Sequence, residues 1–203
     1  MWSERHKPFM VVLSSPSGAG KTTICREVVR QDKKIFYSVS ATTRAPREGE
    51  RKGRSYIFLS EEEFLDRAGR GEFLEFARVY GHLYGTPKSP VFEAFREGKD
   101  VLADLDIQGM RVVKRVLPGT VSIFILPPNV LELNRRIARR RSEAPEEIKC
   151  RRLAFKEETR AIPEFDYLVI NDKLNQAVRD VLAIINAERH RTSRKIKFKG
   201  GLK

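Results

Sequence analysis

Apolar positions along this chain gather into short runs separated by longer amphipathic stretches. The runs Met10 to Leu13, Phe36 to Val39, Val101 to Ala103, Val121 to Leu126 and Tyr167 to Ile170 have the length and continuity of strands buried on both faces. Most of the gaps between them carry helical spacing; from Thr22 to Arg30, for example, Ile24, Val28 and Val29 turn to one side. Strands alternating with helices predict an α/β fold, with a three-layer core in which helices cover both faces of a parallel sheet.

Two stretches break the alternation. Residues 41–98 form a polar, glycine-dotted insert with one expected strand, Ser55 to Leu59, and a helix starting near Ser60, where Glu63 three positions on completes a capping box. The stretch Arg139 to Glu147 is arginine-rich and carries a Ser-Glu-Ala-Pro break between helical patterns, as a mobile flap would. The expected organisation is a core of residues 1–40 and 99–203, an arginine-bearing lid at about 134–150, and an inserted lobe at 41–98. There is no internal repeat, and the tail Arg189 to Lys203 reads as a solvated basic end.

Composition narrows the setting. At 203 residues the chain can bury a full core without staples, and its two cysteines, Cys25 and Cys150, form no disulfide framework or zinc pattern. No apolar run spans a bilayer, and Met1 to Pro8 has no apolar signal region, so the expected location is the cytoplasm with no membrane partner. A net charge of +13 favours an anionic partner, small or polymeric.

The candidate chemistry begins behind the first strand, with SSPSGAGKTT. Residues Ser15, Pro16, Ser17, Gly18, Ala19, Gly20, Lys21 and Thr22 match the phosphate-loop pattern G-x-x-x-x-G-K-[ST], except that Ser15 stands where the first glycine is expected. A turn with so little side-chain bulk exposes backbone N–H groups that cradle phosphate oxygens. Lys21 would reach the β- and γ-phosphates of a nucleoside triphosphate, and the Thr22 hydroxyl would hold Mg²⁺. A carboxylate on a neighbouring strand should share that ion, and VLADLD offers Asp104 at the strand's C-terminal end. Asp106 would fall on the same side if the strand ran on, free for a second substrate.

A second phosphate site is expected in SATTRAPREGE, residues 40–50. Arg44 and Arg47 can both grip one phosphate through their forked donors, with hydroxyls from Tyr56 and Tyr84 nearby.

With SVSATTRAPREGE, SYIFLS, GEFLEFARVYGHLYGT and DLDIQG in this order and spacing, the chain from about Val11 to about Asp172 resembles the guanylate kinases, nucleoside monophosphate kinases of the phosphate-loop class. That resemblance implies a P-loop NTPase-type core, ATP as donor with Mg²⁺, and GMP, with dGMP, as acceptor. It places Ser40, Arg44, Arg47, Glu50, Tyr56, Glu75, Tyr84, Thr86 and Asp106 around GMP. On the ATP side it implies the phosphate loop, Asn171 beside adenine, and Arg136, Arg140 and Arg152 as catalytic lid arginines beside Lys21. Arg139 and Arg141 stand where such kinases often have glycine, which leaves open which arginine meets the transferred group.

Base choice follows from the same residues. Guanine presents N1–H and an exocyclic amine as adjacent donors, which one carboxylate, Glu75, can accept, while a hydroxyl of Ser40 or Thr86 donates to O6. Adenine would set a lone pair against that carboxylate, and each unpaired buried polar group costs about 1 to 3 kcal/mol. Three other readings stay open on sequence alone: a scaffold domain keeping the fold without activity, a nucleic-acid binder using its basic surface, and a kinase of another small phosphorylated acceptor. Intact Gly20, Lys21, Thr22 and Asp104 weigh against the first, and no aromatic-rich binding motif supports the second.

Overall fold

A computed structural model describes residues 6–16, 18–47, 49–51, 53, 55–79, 81–138, 155 and 158–195, with the side chains of 134 and 136–138 left aside. Five parallel strands form the core sheet: β1 (Met10–Ser14), β2 (Ile35–Ser38), β7 (Asp100–Asp104), β8 (Val121–Leu126) and β9 (Tyr167–Ile170), in the order β2-β7-β1-β8-β9. Every residue of β1 is buried because the strand is central and covered on both faces. On one face, helix α1 (Lys21–Gln31) and the last helix, α6 (Leu174–Arg189), enclose Val11, Leu13, Ile24, Val28, Ile123, Val181 and Ile185. On the other, α3 (Lys88–Arg96) and α4 (Ile107–Val116) bring Val91, Ala94, Met110 and Val113 onto Met10, Val12 and Ala103. The expected three-layer α/β core is present.

The insert has its own sheet, order β4-β3-β6-β5, from β3 (Ala41–Thr42), β4 (Ile57–Phe58), β5 (Phe73–Val79) and β6 (His82–Pro87). Helix α2 (Glu61–Gly69) covers it, and Phe64 stacks on Phe73 with ring centroids 4.5 Å apart. The expected strand Ser55 to Leu59 contracts to Ile57–Phe58, while the β5–β6 hairpin had no counterpart in the sequence reading. Helix α3, inside the expected 41–98 insert, packs under the core sheet.

At the sheet's N-terminal end the two ends of the described chain meet. Buried Asp100 takes hydrogen bonds from the Phe9 N–H at 3.2 Å and Arg189 Nε at 2.7 Å, and pairs with His6 Nε2 at 2.9 Å. Arg189 also reaches Asp32 at 2.6 Å, and His6 bridges Lys195 in antiparallel fashion. One further helix, α5 (Val130–Ala138), follows β8. Among the described residues no helix is long and apolar enough to cross a membrane.

Candidate functional site

The loop from Ser15 to Gly20 joins buried β1 to α1, so it opens at the sheet's C-terminal edge. Gly20 caps α1 with φ 94°, a left-handed conformation, and gives the helix no side-chain cap. The first turn of α1 carries no acidic residue. Helix α2 begins the opposite way: the Ser60 hydroxyl accepts from the Glu63 N–H at 3.0 Å, and Glu61, Glu62 and Glu63 fill its first turn. One helix start is closed to anions by its own side chains, and the other is left bare for one.

Lys21 and Thr22 both meet Asp104, the last residue of β7. Lys21 Nζ lies 2.6 Å from one carboxylate oxygen and donates to the Leu105 carbonyl at 3.0 Å, while the Thr22 hydroxyl donates to the other carboxylate oxygen at 3.0 Å. Burial pulls the Lys21 ammonium towards neutrality, but the charge of Asp104 and the hydrogen bond to it outweigh that and hold it above its ordinary value. A hydroxyl beside a carboxylate is a hard-oxygen pair of the kind Mg²⁺ takes when it keeps waters and shares substrate phosphates. Among the described residues there is no group of three or more His, Cys, Asp or Glu that could hold a metal ion. Asn171, expected beside adenine, lies buried at the end of β9 with its amide donating to the Ala19 carbonyl at 2.7 Å.

Across from this cluster, Arg44 follows β3 and is gripped from three sides. Its Nη2 reaches both Glu50 oxygens at 2.9 Å, its Nε donates to the Tyr84 hydroxyl at 3.2 Å, and its guanidinium lies 5.4 Å from the Tyr56 ring centre. Glu50 also accepts from the Arg47 N–H at 2.8 Å, so one carboxylate ties Arg44 to the backbone of Arg47. Burial pushes the Tyr56 phenol up to about 12, with Asp104 adding to the rise and Lys21 opposing it. Tyr56 thus senses the charges of the donor cluster while packing edge-on against Tyr84 of the acceptor cluster.

Glu75 belongs to β5, buried opposite Thr86 of β6, whose hydroxyl donates to it at 2.6 Å. The Thr86 hydroxyl proton thus goes to the carboxylate, and Ser40 is buried just before β3. Burial raises the Glu75 carboxyl to about 7, against the lowering effect of the Thr86 hydrogen bond and with Asp106 adding to the rise.

Asp104 ends β7 as expected, and the condition for Asp106 to share its side, a strand running on, is not met. The strand ends at Asp104, and Asp106 is the N-cap of α4, its carboxylate accepting from the Gly109 N–H at 2.7 Å. The helix start, rather than strand alternation, carries Asp106 towards Glu75. Gly109 had no role in the sequence reading, yet a Cβ there would sit 3.1 Å from Glu75 Oε2 and 3.2 Å from Asp106 Oδ1. The signal was in DLDIQG: a glycine at the third position of a helix makes sense only where something must come close. Arg140, Arg152 and Ser17 lie outside the described residues; Arg136 lies on α5, its side chain likewise outside.

The family model described as guanylate kinase matches residues 7–188. The guanylate kinase of Clostridium tetani is 45% identical over 188 residues, covering 93% of this chain and 90% of its own. That of Carboxydothermus hydrogenoformans is 44% identical over 200 residues, covering 97% and 98%. Among solved structures, guanylate kinase from Anaplasma phagocytophilum superposes with a TM-score of 0.79 at 30% identity, covering 95% of this chain and 92% of that one.

Proposed function

The chain belongs to the guanylate kinase family, and from that premise we propose how its two clusters divide the transfer of the γ-phosphoryl of ATP to GMP. It is an ATP:GMP phosphotransferase, with GDP and ADP as products. The bare start of α1 and the loop before it receive the triphosphate. Lys21, kept charged by Asp104 before a ligand arrives, exchanges that carboxylate for phosphate oxygens. Mg²⁺, held by Thr22 and Asp104, would offset charge on the phosphates when bound.

On the acceptor side Arg44 and Arg47, with Tyr56 and Tyr84, take the GMP phosphate. Glu50 keeps Arg44 in position before substrate arrives, so little side-chain ordering remains to be done on binding. Glu75 reads guanine N1–H and the exocyclic amine, with Asp106 and Ser40 beside it. The ribose 2′-hydroxyl has no part in this reading, so dGMP is accepted as well. A GMP phosphate oxygen then bonds to the γ-phosphorus as its bond to the β–γ bridging oxygen breaks, with no covalent enzyme intermediate. The arrangement supplies proximity and charge balance. Arg136, Arg140 and Arg152 are proposed on sequence grounds to add positive charge around the moving group. Action in the cytoplasm on small nucleotides, with no nucleic acid required, completes the reading.

The acceptor's identity rests on Glu75: a buried carboxylate held by the Thr86 hydroxyl and backbone N–H, with a second carboxylate nearby, is suited to a ligand with paired N–H donors. The test is ADP release from Mg·ATP with GMP, dGMP, AMP, UMP and CMP offered separately. GMP and dGMP should turn over and the others fall at least about 10²-fold behind; comparable turnover of AMP would remove the assignment.

A further inference from the structure

We propose that Asn171 is a positioning residue for the phosphate loop, acting on the triphosphate through the loop's backbone; this rests on the reading of that loop as the ATP site. A phosphate loop works through its N–H groups, and the direction of each N–H is fixed by the plane of its peptide unit. The Asn171 amide donates to the Ala19 carbonyl at 2.7 Å. That carbonyl and the Gly20 N–H share one planar peptide and point opposite ways, so a hand on the oxygen turns the N–H away from Asn171 and into the loop's concave side.

A second observation places the same amide behind the same peptide. A Cβ added to Gly20 would lie 2.5 Å from Asn171 Nδ2, so the amide fills the space that a side chain at position 20 would need. Gly20 is therefore demanded twice, by its φ of 94° and by the packing of Asn171. The clamp itself is anchored: the Asn171 N–H donates to the Leu126 carbonyl at 2.7 Å, continuing the β8–β9 pairing, and the residue is 5% exposed. A buried amide fixed to a sheet end is a rigid reference against which a short glycine-rich turn can be held.

A contact to adenine and a hold on the loop predict different ligand dependence. The first affects only ligands carrying a base, whereas the second affects any polyphosphate. Calorimetric titration of Asn171→Ala and Asn171→Asp with Mg·ATP and with inorganic tripolyphosphate separates them. Asn171→Asp keeps the volume and removes the donor but adds a negative charge that itself repels polyphosphate, so the ratio is read from Asn171→Ala, and Asn171→Asp checks only that a side chain of that size without the donor is accepted. Both ligands should weaken by the same factor, about tenfold, while the KM for GMP stays within about twofold, a split that general loss of structure would not produce. Loss confined to ATP, or no loss with either ligand, overturns the proposal. Lys21→Ala serves as the reference: if it leaves tripolyphosphate binding intact, the loop is not the phosphate site and both readings fall, whereas an effect of Lys21→Ala without a matching effect of Asn171 removes the clamp alone.

Discussion

The donor and acceptor clusters handle buried charge in opposite ways. Around the phosphate loop each charge has an internal partner that can be exchanged: Lys21 with Asp104, and Asp104 with Thr22 as well. On the acceptor side Arg44 has such a partner in Glu50, but Glu75 has the hydroxyl and backbone N–H of Thr86 and a second carboxylate for neighbours. The first arrangement lets a charged ligand enter by swapping ions. The second leaves a carboxyl partly protonated near neutrality until a ligand with two donors arrives. One pocket is ready at any ordinary pH, and the other is tied to protons.

The sharpest way to break the comparison is on the donor side. Lys21→Ala leaves Asp104 and Thr22 without the cation that phosphate would recruit, and turnover should fall by about 10³-fold or more, read as ADP release at saturating GMP. Retention of most activity would mean that the loop's backbone alone suffices.

Next comes Glu75→Gln, which should lower kcat/KM for GMP about 10²-fold while leaving Mg·ATP affinity unchanged. In the parent protein guanine requires the ionised carboxylate, so GMP affinity should fall as pH drops below about 7, about tenfold per unit well below it. Folding stability of the unliganded protein runs the other way: a carboxyl whose folded pKa is raised favours the protonated fold, and that contribution is lost as pH climbs from the ordinary carboxylate range through about 7. Calorimetry in buffers of different ionisation enthalpy should detect more protons released on GMP binding at pH 6 in the parent than in Glu75→Gln, where only the GMP phosphate, with its second ionisation at about pH 6, can release one. A pH-independent GMP affinity in the parent would sink this account.

The smallest effect is expected at Gly109→Ala. The new methyl would press on Glu75 and Asp106 at 3.1 to 3.2 Å, and both are side chains that can yield by a few tenths of an ångström. The KM for GMP should rise about two- to fivefold, with kcat nearly unchanged. A drop in kcat alone would argue against a role in acceptor placement.

The same contrast explains what could be seen in the sequence. The donor site is local: eight consecutive residues behind a buried strand, and one aspartate ending the next strand of the sheet. Its core strands were legible too, because Val121–Leu126, apolar but for Ser122, is buried inside the sheet and Tyr167–Ile170 is an apolar run at its edge with Leu168 and Ile170 exposed, and the observed strands coincide with both runs. The acceptor side is assembled from β3, the loop after it, β5, β6 and the start of α4, and its strands read poorly. β6 holds Gly85 and Pro87, and β5 has Glu75 on its buried stretch, so polar and apolar residues do not alternate as a strand with one wet face would. The carboxylate proposed to read guanine itself spoils the pattern that would have revealed its strand. Gly109 escaped because the distance that requires it, from α4 to Glu75, exists only after folding.

The antiparallel pairing of His6 with Lys195 has a practical side. It lies at the end of the sheet where β1 begins, and the nucleotide loop lies where β1 ends. A surface anchor, a fluorescent reporter or a peptide hinge attached near either of these residues would hold the molecule by its blind side. The two are near enough that a brief splice between them could recast the order of the chain while leaving the catalytic mouth facing open solution.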